Sequence, residues 1–131
     1  MRTGTRQLLT DYVDAVDWST NPAVDSETFT TTDTYDALNR VATTTAPDAT
    51  ITTPTYNQRS LLSAVTADLQ GSQSVTDVVT TVSYNAKAQR QTTSYGNGAT
   101  TTNTYDPDTF RLINITTSRP PVNDTVVTQN D

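Results

Sequence analysis

Large apolar residues are sparse along this chain, and polar and β-branched positions carry its pattern. Thr-rich runs recur at Thr30-Thr31-Thr32-Asp33-Thr34, Thr52-Thr53-Pro54-Thr55, Thr80-Thr81-Val82-Ser83 and Thr100-Thr101-Thr102-Asn103-Thr104. β-branched side chains are stiff at χ1 and suit a pleated surface, so each run predicts a strand. The most apolar stretch is Leu61–Leu69. There Leu61, Ser63, Val65, Ala67 and Leu69 alternate with Leu62, Ala64, Thr66 and Asp68. That period of two predicts a half-buried strand. Leu and Ala are also good helix formers, so a helix is the competing expectation there. Val78, Val82 and Tyr84 fall on one side of the next strand, with Thr80 between them. Further strands are expected over Val24–Thr34, Asn39–Thr45 and Leu112–Thr117. Arg2 to Asp17 fits an edge strand or a short helix, and Pro120-Pro121 ends regular structure because proline cannot donate to a ladder.

Between the strands one phrase returns: a Tyr, then Asp or Asn, a few small or polar residues, then Arg. It reads Tyr35-Asp36-Ala37-Leu38-Asn39-Arg40, Tyr84-Asn85-Ala86-Lys87-Ala88-Gln89-Arg90 and Tyr105-Asp106-Pro107-Asp108-Thr109-Phe110-Arg111. A degenerate copy, Tyr56-Asn57-Gln58-Arg59-Ser60-Leu61-Leu62, has Leu where Arg is expected. The tyrosines at 35, 56, 84 and 105 stand 21, 28 and 21 residues apart. A fixed period of this length marks stacked supersecondary units. Asp or Asn after the Tyr favours a turn, because its side chain bonds nearby backbone. A second turn falls midway, at Ala46-Pro47-Asp48-Ala49 and Tyr95-Gly96-Asn97-Gly98. Each unit is therefore two short strands and two turns. The long interval is absorbed by a loop over 68–74.

The segments YDALNRV and YNAKAQRQTTSYGNGATTTNTYDPDTFRL resemble the YD, or RHS, repeats of bacterial polymorphic toxins. They resemble most the repeat region of the insecticidal toxin-complex B and C components. The resemblance runs from about Phe29 to Ile115. It implies an all-β fold, in which successive antiparallel hairpins form a curled or spiralling sheet, a piece of a shell, with little helix. It implies three regions: 1–28, the tail of a preceding repeat; 29–117, the repeats; and 118–131, an irregular Pro-containing tail read as an unfinished repeat. The chain is then expected to be a fragment of a longer protein. Its role is that of a structural segment of a toxin shell enclosing a C-terminal toxic segment, secreted or placed at a cell surface through the parent. The residues expected to carry the repeat are Tyr35, Asp36, Arg40, Tyr56, Asn57, Tyr84, Asn85, Arg90, Tyr105, Asp106 and Arg111. The Gly that often precedes the Arg in this family is absent, with Asn39 and Gln89 in its place, and Ala49 stands where a Gly usually closes the Pro-Asp turn.

Composition narrows the chemistry. The hydrophobic fraction is 33%, low for a self-sufficient core, and Thr, about a quarter of the chain, accounts for the deficit. Few large side chains are expected to be buried: Phe29, Phe110, Trp18, the tyrosines and some aliphatics. The net charge of −6 repels phosphate backbones and anionic lipids, so neither nucleic acid nor a membrane surface is an expected partner. Met1 to Val13 lacks the continuous apolar stretch of a signal peptide or a membrane span. There is no Cys and no His. That removes disulfides, Ser-His-Asp and Cys-His catalysis and ordinary zinc sites, and no cofactor is implied.

Asp11, Asp14 and Asp17 recur every three residues and could gather on a helix face as a cation site. No calcium-loop pattern surrounds them, and a solvated face is the plainer expectation. Paired carboxylates alone do not make a glycosidase, so no enzymatic role is expected. A Tyr and Arg recurring in every unit is more often scaffold than ligand site. The alternative from another class is a surface module whose tyrosines contact carbohydrate or a receptor.

Repeat units bury surface between neighbours, and terminal units normally need caps. None is visible here, so the first and last strands are expected to offer open edges to neighbouring repeats or to another copy. The isolated chain should be marginally stable or self-associate. Urea melts and size-exclusion chromatography on chains of increasing repeat number test this. A monomer with a cooperative transition of about 5–15 kcal/mol would instead identify an autonomous domain.

Overall fold

A computed structural model describes residues 1–10 and 15–120. Nine strands occur among them: β1 (Arg2–Arg6), β2 (Phe29–Tyr35), β3 (Val41–Thr45), β4 (Ile51–Tyr56), β5 (Leu62–Asp68), β6 (Val75–Tyr84), β7 (Arg90–Tyr95), β8 (Thr100–Tyr105) and β9 (Leu112–Ser118). Their order in the sheet is their order in the chain, with neighbours antiparallel. The only helical pieces among the described residues are single 3₁₀ turns at Trp18–Thr20 and Leu69–Gly71. The all-β class and the succession of hairpins are as the repeat pattern implied.

The chain divides into two compact units. One comprises Met1–Thr55 with Val65–Thr76, the other Tyr56–Ala64 with the chain from Asp77 onward. In the first, β1 pairs with β2 from Arg2↔Asp33 to Arg6↔Phe29, and β2 pairs with β3 through Thr32↔Thr45 and Thr34↔Thr43. In the second, Ser83, Thr92, Thr102 and Thr116 lie side by side across β6 to β9. Cross-strand Thr pairs are thus the common currency of both ladders, in keeping with their strand preference. On the opposite face Thr101 and Thr117 meet hydroxyl to hydroxyl at 2.9 Å.

The stretch 61–69 resolves as strand rather than helix. It is entered from a tight turn and leaves for a 3₁₀ turn, so its period of two decides against its helix propensity. Side chains on both faces of β5 are half-buried or, at Ala67, buried. The core is correspondingly thin. Among the described residues Ala67, Ala99 and Thr93 are buried, and no large side chain is fully enclosed. Trp18 and Phe110, expected inside, are 73% and 42% exposed. Trp18 begins the first 3₁₀ turn, where Asp17 fixes the backbone by accepting from the Ser19 amide at 2.9 Å. Phe110 occupies a turn position and lies beneath an ammonium group instead of entering the sheet.

One hairpin geometry serves five connections. The residue opening each turn donates its N–H to the carbonyl four residues on and accepts from the N–H three residues on. The pairs are Asp36 with Arg40 and Asn39, Ala46 with Thr50 and Ala49, Asn57 with Leu61 and Ser60, Asn85 with Gln89 and Ala88, and Tyr95 with Ala99 and Gly98, at 2.9–3.0 Å throughout. The geometry requires a left-handed residue before the closing pair. Asn39, Ala49, Ser60, Ala88 and Gly98 occupy that place, with φ of 59°, 65°, 60°, 62° and 80°. The turn at Asp106 is one residue longer, closing on Arg111, with Phe110 at φ 59°.

Left-handed φ disfavours every residue with a Cβ. Ala49→Gly and Ala88→Gly should therefore each raise stability by about 0.5–1 kcal/mol. Gly98→Ala should lower it by at least that much, since a Cβ there also meets Pro120 Cγ at 2.9 Å. Gly96 is needed for a different reason: a Cβ would run into the Asp77 carbonyl, so Gly96→Ala should cost more than Gly98→Ala. Urea midpoints of the four variants check the order.

Candidate functional site

The repeated Tyr-Asx phrase occupies one set of hairpin ends, and its polar side chain holds each turn. Asp36 Oδ1 accepts from the amides of Leu38 at 2.9 Å and Arg40 at 3.0 Å. Asn57 Oδ1 accepts from Arg59 and Leu61 at 2.9 and 3.0 Å, and Asn85 Oδ1 from Lys87 and Gln89 at the same distances. Asp106 Oδ1 takes the amides of Asp108 and Thr109 and the Thr109 hydroxyl. One side-chain oxygen thereby satisfies donors that a tight turn leaves without ladder partners. Aspartate and asparagine can both do this, because both present an acceptor oxygen at the same distance from the backbone.

What lies opposite that oxygen differs from turn to turn. In the first turn Arg40 donates Nε to Asp36 Oδ2 at 2.8 Å and brings its terminal nitrogen to 2.7 Å from the same oxygen. In the third the same place, four residues after the Asx, belongs to Gln89, whose Oε1 accepts from Asn85 Nδ2 at 2.7 Å. Arg90 sits one residue farther on. Leu61 holds this place in the second turn. In the fourth turn the closing residue is Arg111, but Asp106 is engaged by Thr109 and its side chain is not paired with Arg111.

Within the second unit the turns are tied to one another. Arg59 reaches the next turn, donating to the carbonyls of Asn85 at 3.4 Å and Ala86 at 3.2 Å. Gln89 Nε2 donates to Phe110 O at 2.7 Å, and Lys87 Nζ stands 3.2 Å from the centre of the Phe110 ring. That distance fits a cation held over the π face. The tyrosines make the matching connection inside the strands. Tyr84 donates its phenol to Leu62 O, and Tyr105 to Arg90 O, both at 2.8 Å. Leu62 and Arg90 are equivalent, each five residues after the Asx of the preceding turn. Arg90 thus enters the repeat through its carbonyl, which also accepts from Asn103 Nδ2 at 3.0 Å.

The ladder shifts register beside each of these tyrosines for which a register is defined. Tyr35 pairs with Val41 and Thr34 with Thr43; Tyr84 pairs with Arg90 and Ser83 with Thr92; Tyr105 pairs with Leu112 and Thr104 with Asn114. Ala42, Gln91 and Ile113 are the extra residues. A bulge leaves ladder groups locally unpaired, and at Arg90 the Tyr105 phenol supplies the missing donor. The phrase tyrosines are expected to be more buried than Tyr12 and Tyr95, but Tyr35, Tyr56, Tyr84, Tyr95 and Tyr105 are all half-buried. Tyr12 lies outside the described residues. Neither the bulge nor the pairing of Gln89 with Asn85 follows from the repeat pattern, although Asn85 and Gln89 have the same four-residue separation as Asp36 and Arg40.

Asp17 is the one member of the 11, 14, 17 acidic series among the described residues; its carboxylate accepts from the Ser19 amide and hydroxyl. No group of metal-ligating side chains occurs among the described residues. No helix there is long and apolar enough to cross a membrane.

The sheet of chain-ordered hairpins, most of them closed by an Asx-held turn, defines a repeat architecture. That architecture is found in the toxin complexes. The chain is similar to crystal structures of TcdB2–TccC3, with and without the hypervariable C-terminal region, and to a Photorhabdus luminescens Tc holotoxin pore. Each match has a TM-score of 0.74 and 27% identity over 90% of this chain. The chain spans 6% of the length of these structures. No family model and no curated relative matches it.

The carboxyls of Asp36, Asp48 and Asp106 are held below the ordinary aspartate range. For Asp36 the main cause is the Arg40 side chain; for Asp48 and Asp106 it is the amides of Thr50 and Thr109, followed by their hydroxyls. A lowered folded-state pKa contributes stability that is present above the unfolded value and lost as pH falls through the folded one. Urea midpoints should therefore fall below about pH 4, the ordinary aspartate value. Asp36→Asn should flatten part of that fall. Tyr84→Phe and Tyr105→Phe should each cost about 0.5–1.5 kcal/mol through the lost phenol donor. Tyr95→Phe, with no such bond among the described residues, should change stability by less than about 0.5 kcal/mol.

Proposed function

We propose that this chain is a structural segment of a YD-repeat toxin shell, one stretch of a wall that encloses a C-terminal toxic segment, and that it performs no catalysis itself. The observation that carries this is the match to TcdB2–TccC3 structures across 90% of the chain. The sheet chemistry supports it. Both faces carry hydroxyls, and among the described residues the interior holds little more than Ala67, Ala99 and Thr93. A sheet of this kind suits a partition with solvent on either side better than the shell of a compact core. Its partners are then neighbouring repeats of a parent protein, which would carry it to the cell exterior.

A chimera tests the proposal. Residues 29–117 replace the structurally equivalent stretch of TcdB2–TccC3, and protease resistance of the C-terminal segment is measured. Protection matching the parent assembly is the expected outcome. Loss of protection in a chimera that still assembles would refute the wall role. The second reading, a carbohydrate-binding module, rests on the half-buried tyrosines. Glycan arrays with the 131-residue chain decide it. Reproducible binding lost on Tyr→Ala would favour that reading; the shell proposal expects none.

A further inference from the structure

The turn between β7 and β8, Tyr95-Gly96-Asn97-Gly98, makes two demands on its sequence. Gly98 has φ 80°, and a Cβ built on it would meet Pro120 Cγ at 2.9 Å, so conformation and space both call for glycine. Asn97 supplies the holding oxygen: its Oδ1 accepts from the Ala99 amide at 3.0 Å. Together the two demands set an asparagine directly before a glycine, and no other asparagine in the chain is followed by one. The turn between β3 and β4 answers the same demands differently. There Asp48 Oδ1 accepts from the Thr50 amide at 3.0 Å, and Ala49 takes the left-handed place at φ 65°.

The two solutions are chemically unlike. The backbone nitrogen that follows an asparagine can close a succinimide ring on the side-chain Cγ. A following glycine has no Cβ to hinder that approach. After Asn57, Asn85 and Asn103 stand Gln58, Ala86 and Thr104, each with a Cβ. Asn97 and Gly98 are both exposed, so water and hydroxide reach them. The Ala99 amide, bonded to Oδ1, polarises Cγ and stabilises the charge that develops on that oxygen during attack. One contact opposes the reaction: the Gly98 N–H donates to Tyr95 O at 2.9 Å and must first be released. Exposed turns open locally at a small cost in free energy.

We propose that Asn97-Gly98 is a site of spontaneous modification, at which the β7–β8 hairpin converts to an isoaspartyl form whose turn no longer closes. Hydroxide takes the Gly98 amide proton, and the nitrogen attacks Asn97 Cγ. The Cγ–Nδ2 bond breaks, ammonia leaves with a proton from water, and a succinimide remains. Water then opens the ring at one of its two carbonyl carbons. Attack at Cγ breaks the new bond and leaves an ordinary aspartate. Attack at the main-chain carbon breaks the original peptide bond and leaves isoaspartate, with the chain running through Cγ. In sum one water enters and one ammonia departs, without oxidation. Aspartate keeps an oxygen where the turn needs it, as Asp48 does. Isoaspartate adds a methylene to the main chain and carries its free carboxylate on Cα. The acceptor for Ala99 is then displaced, and the closing bonds of Tyr95 to Ala99 and Gly98 lose their fit. The site does not depend on the shell proposal, because the turn and its chemistry are properties of this chain.

The test ages the 131-residue chain in mildly alkaline buffer and maps its peptides by mass spectrometry. Conversion of amide to acid at Asn97 should run at least about tenfold faster than at Asn57 or Asn85, where the next Cβ hinders ring closure. An isoaspartyl methyltransferase should label the aged chain and not the fresh one. The urea midpoint of the aged chain should fall. Repair by the same enzyme with S-adenosylmethionine, which returns isoaspartate to aspartate, should restore it. A freshly prepared Asn97→Asp variant should melt like the unaged chain, which separates the change of backbone from the change of charge. An Asn97→Ser variant, which keeps an acceptor oxygen but cannot form the ring, should take no label at this turn. Equal conversion at the three asparagines, no isoaspartyl label after ageing, or a labelled chain with an unchanged urea midpoint would overturn the proposal.

Discussion

The hydrogen bonds from a single side-chain oxygen to the amides of a tight turn are the interaction on which the rest of this structure depends. A sheet with so few buried apolar groups gains little from any one strand pairing. Register must therefore be set at the hairpin ends. Asp36, Asn57, Asn85 and Asp106 set it by making the chain reverse at a defined residue, which then fixes which threonines face one another. A slip by one residue would exchange the two faces of a strand. On a sheet whose faces are both rich in hydroxyls, the hydrophobic pattern alone would oppose such a slip only weakly. The turn supplies the discrimination that a thick core would supply elsewhere.

The same dependence explains the division of labour around each turn. The Asx oxygen is constant, whereas the closing residue varies among Arg40, Leu61, Gln89 and Arg111. Amide satisfaction is obligatory for a backbone that reverses sharply. The second contact is optional, because an exposed ion pair such as Asp36–Arg40 contributes modestly. Gln89 replaces the pair with a neutral hydrogen bond and directs its other end to the following turn. The link from turn to turn thus survives while the charge does not.

Much of the fold was legible in the sequence because its signals are local. Thr runs, Asx after Tyr and the spacing of tyrosines each act within a few residues, and strands and turns followed from them. The strand at 62–68 was legible only as one of two outcomes, since its composition also suits a helix. Burial was legible poorly. Trp18 and Phe110 are large and apolar, but the first belongs to a short capped turn and the second to a left-handed turn position. Of the repeat residues, the Asx positions could be read by eye. The place of Gln89 could not, because Arg90 next to it imitates the expected residue. The bulges at Ala42, Gln91 and Ile113 leave no compositional mark; they arise from how a twisted ladder meets the turn.

Because strand order equals chain order, each strand pairs with the segment made immediately before or after it. Topologies rich in such nearest-neighbour pairings have low contact order and pay little loop-closure entropy. A chain of this design can fold as it leaves the ribosome, each hairpin closing on the edge already formed, without waiting for a distant partner. The same connectivity makes disassembly directional. Tension applied at one end meets the strands singly, in sequence, and peels the sheet like a zip instead of breaking it all at once.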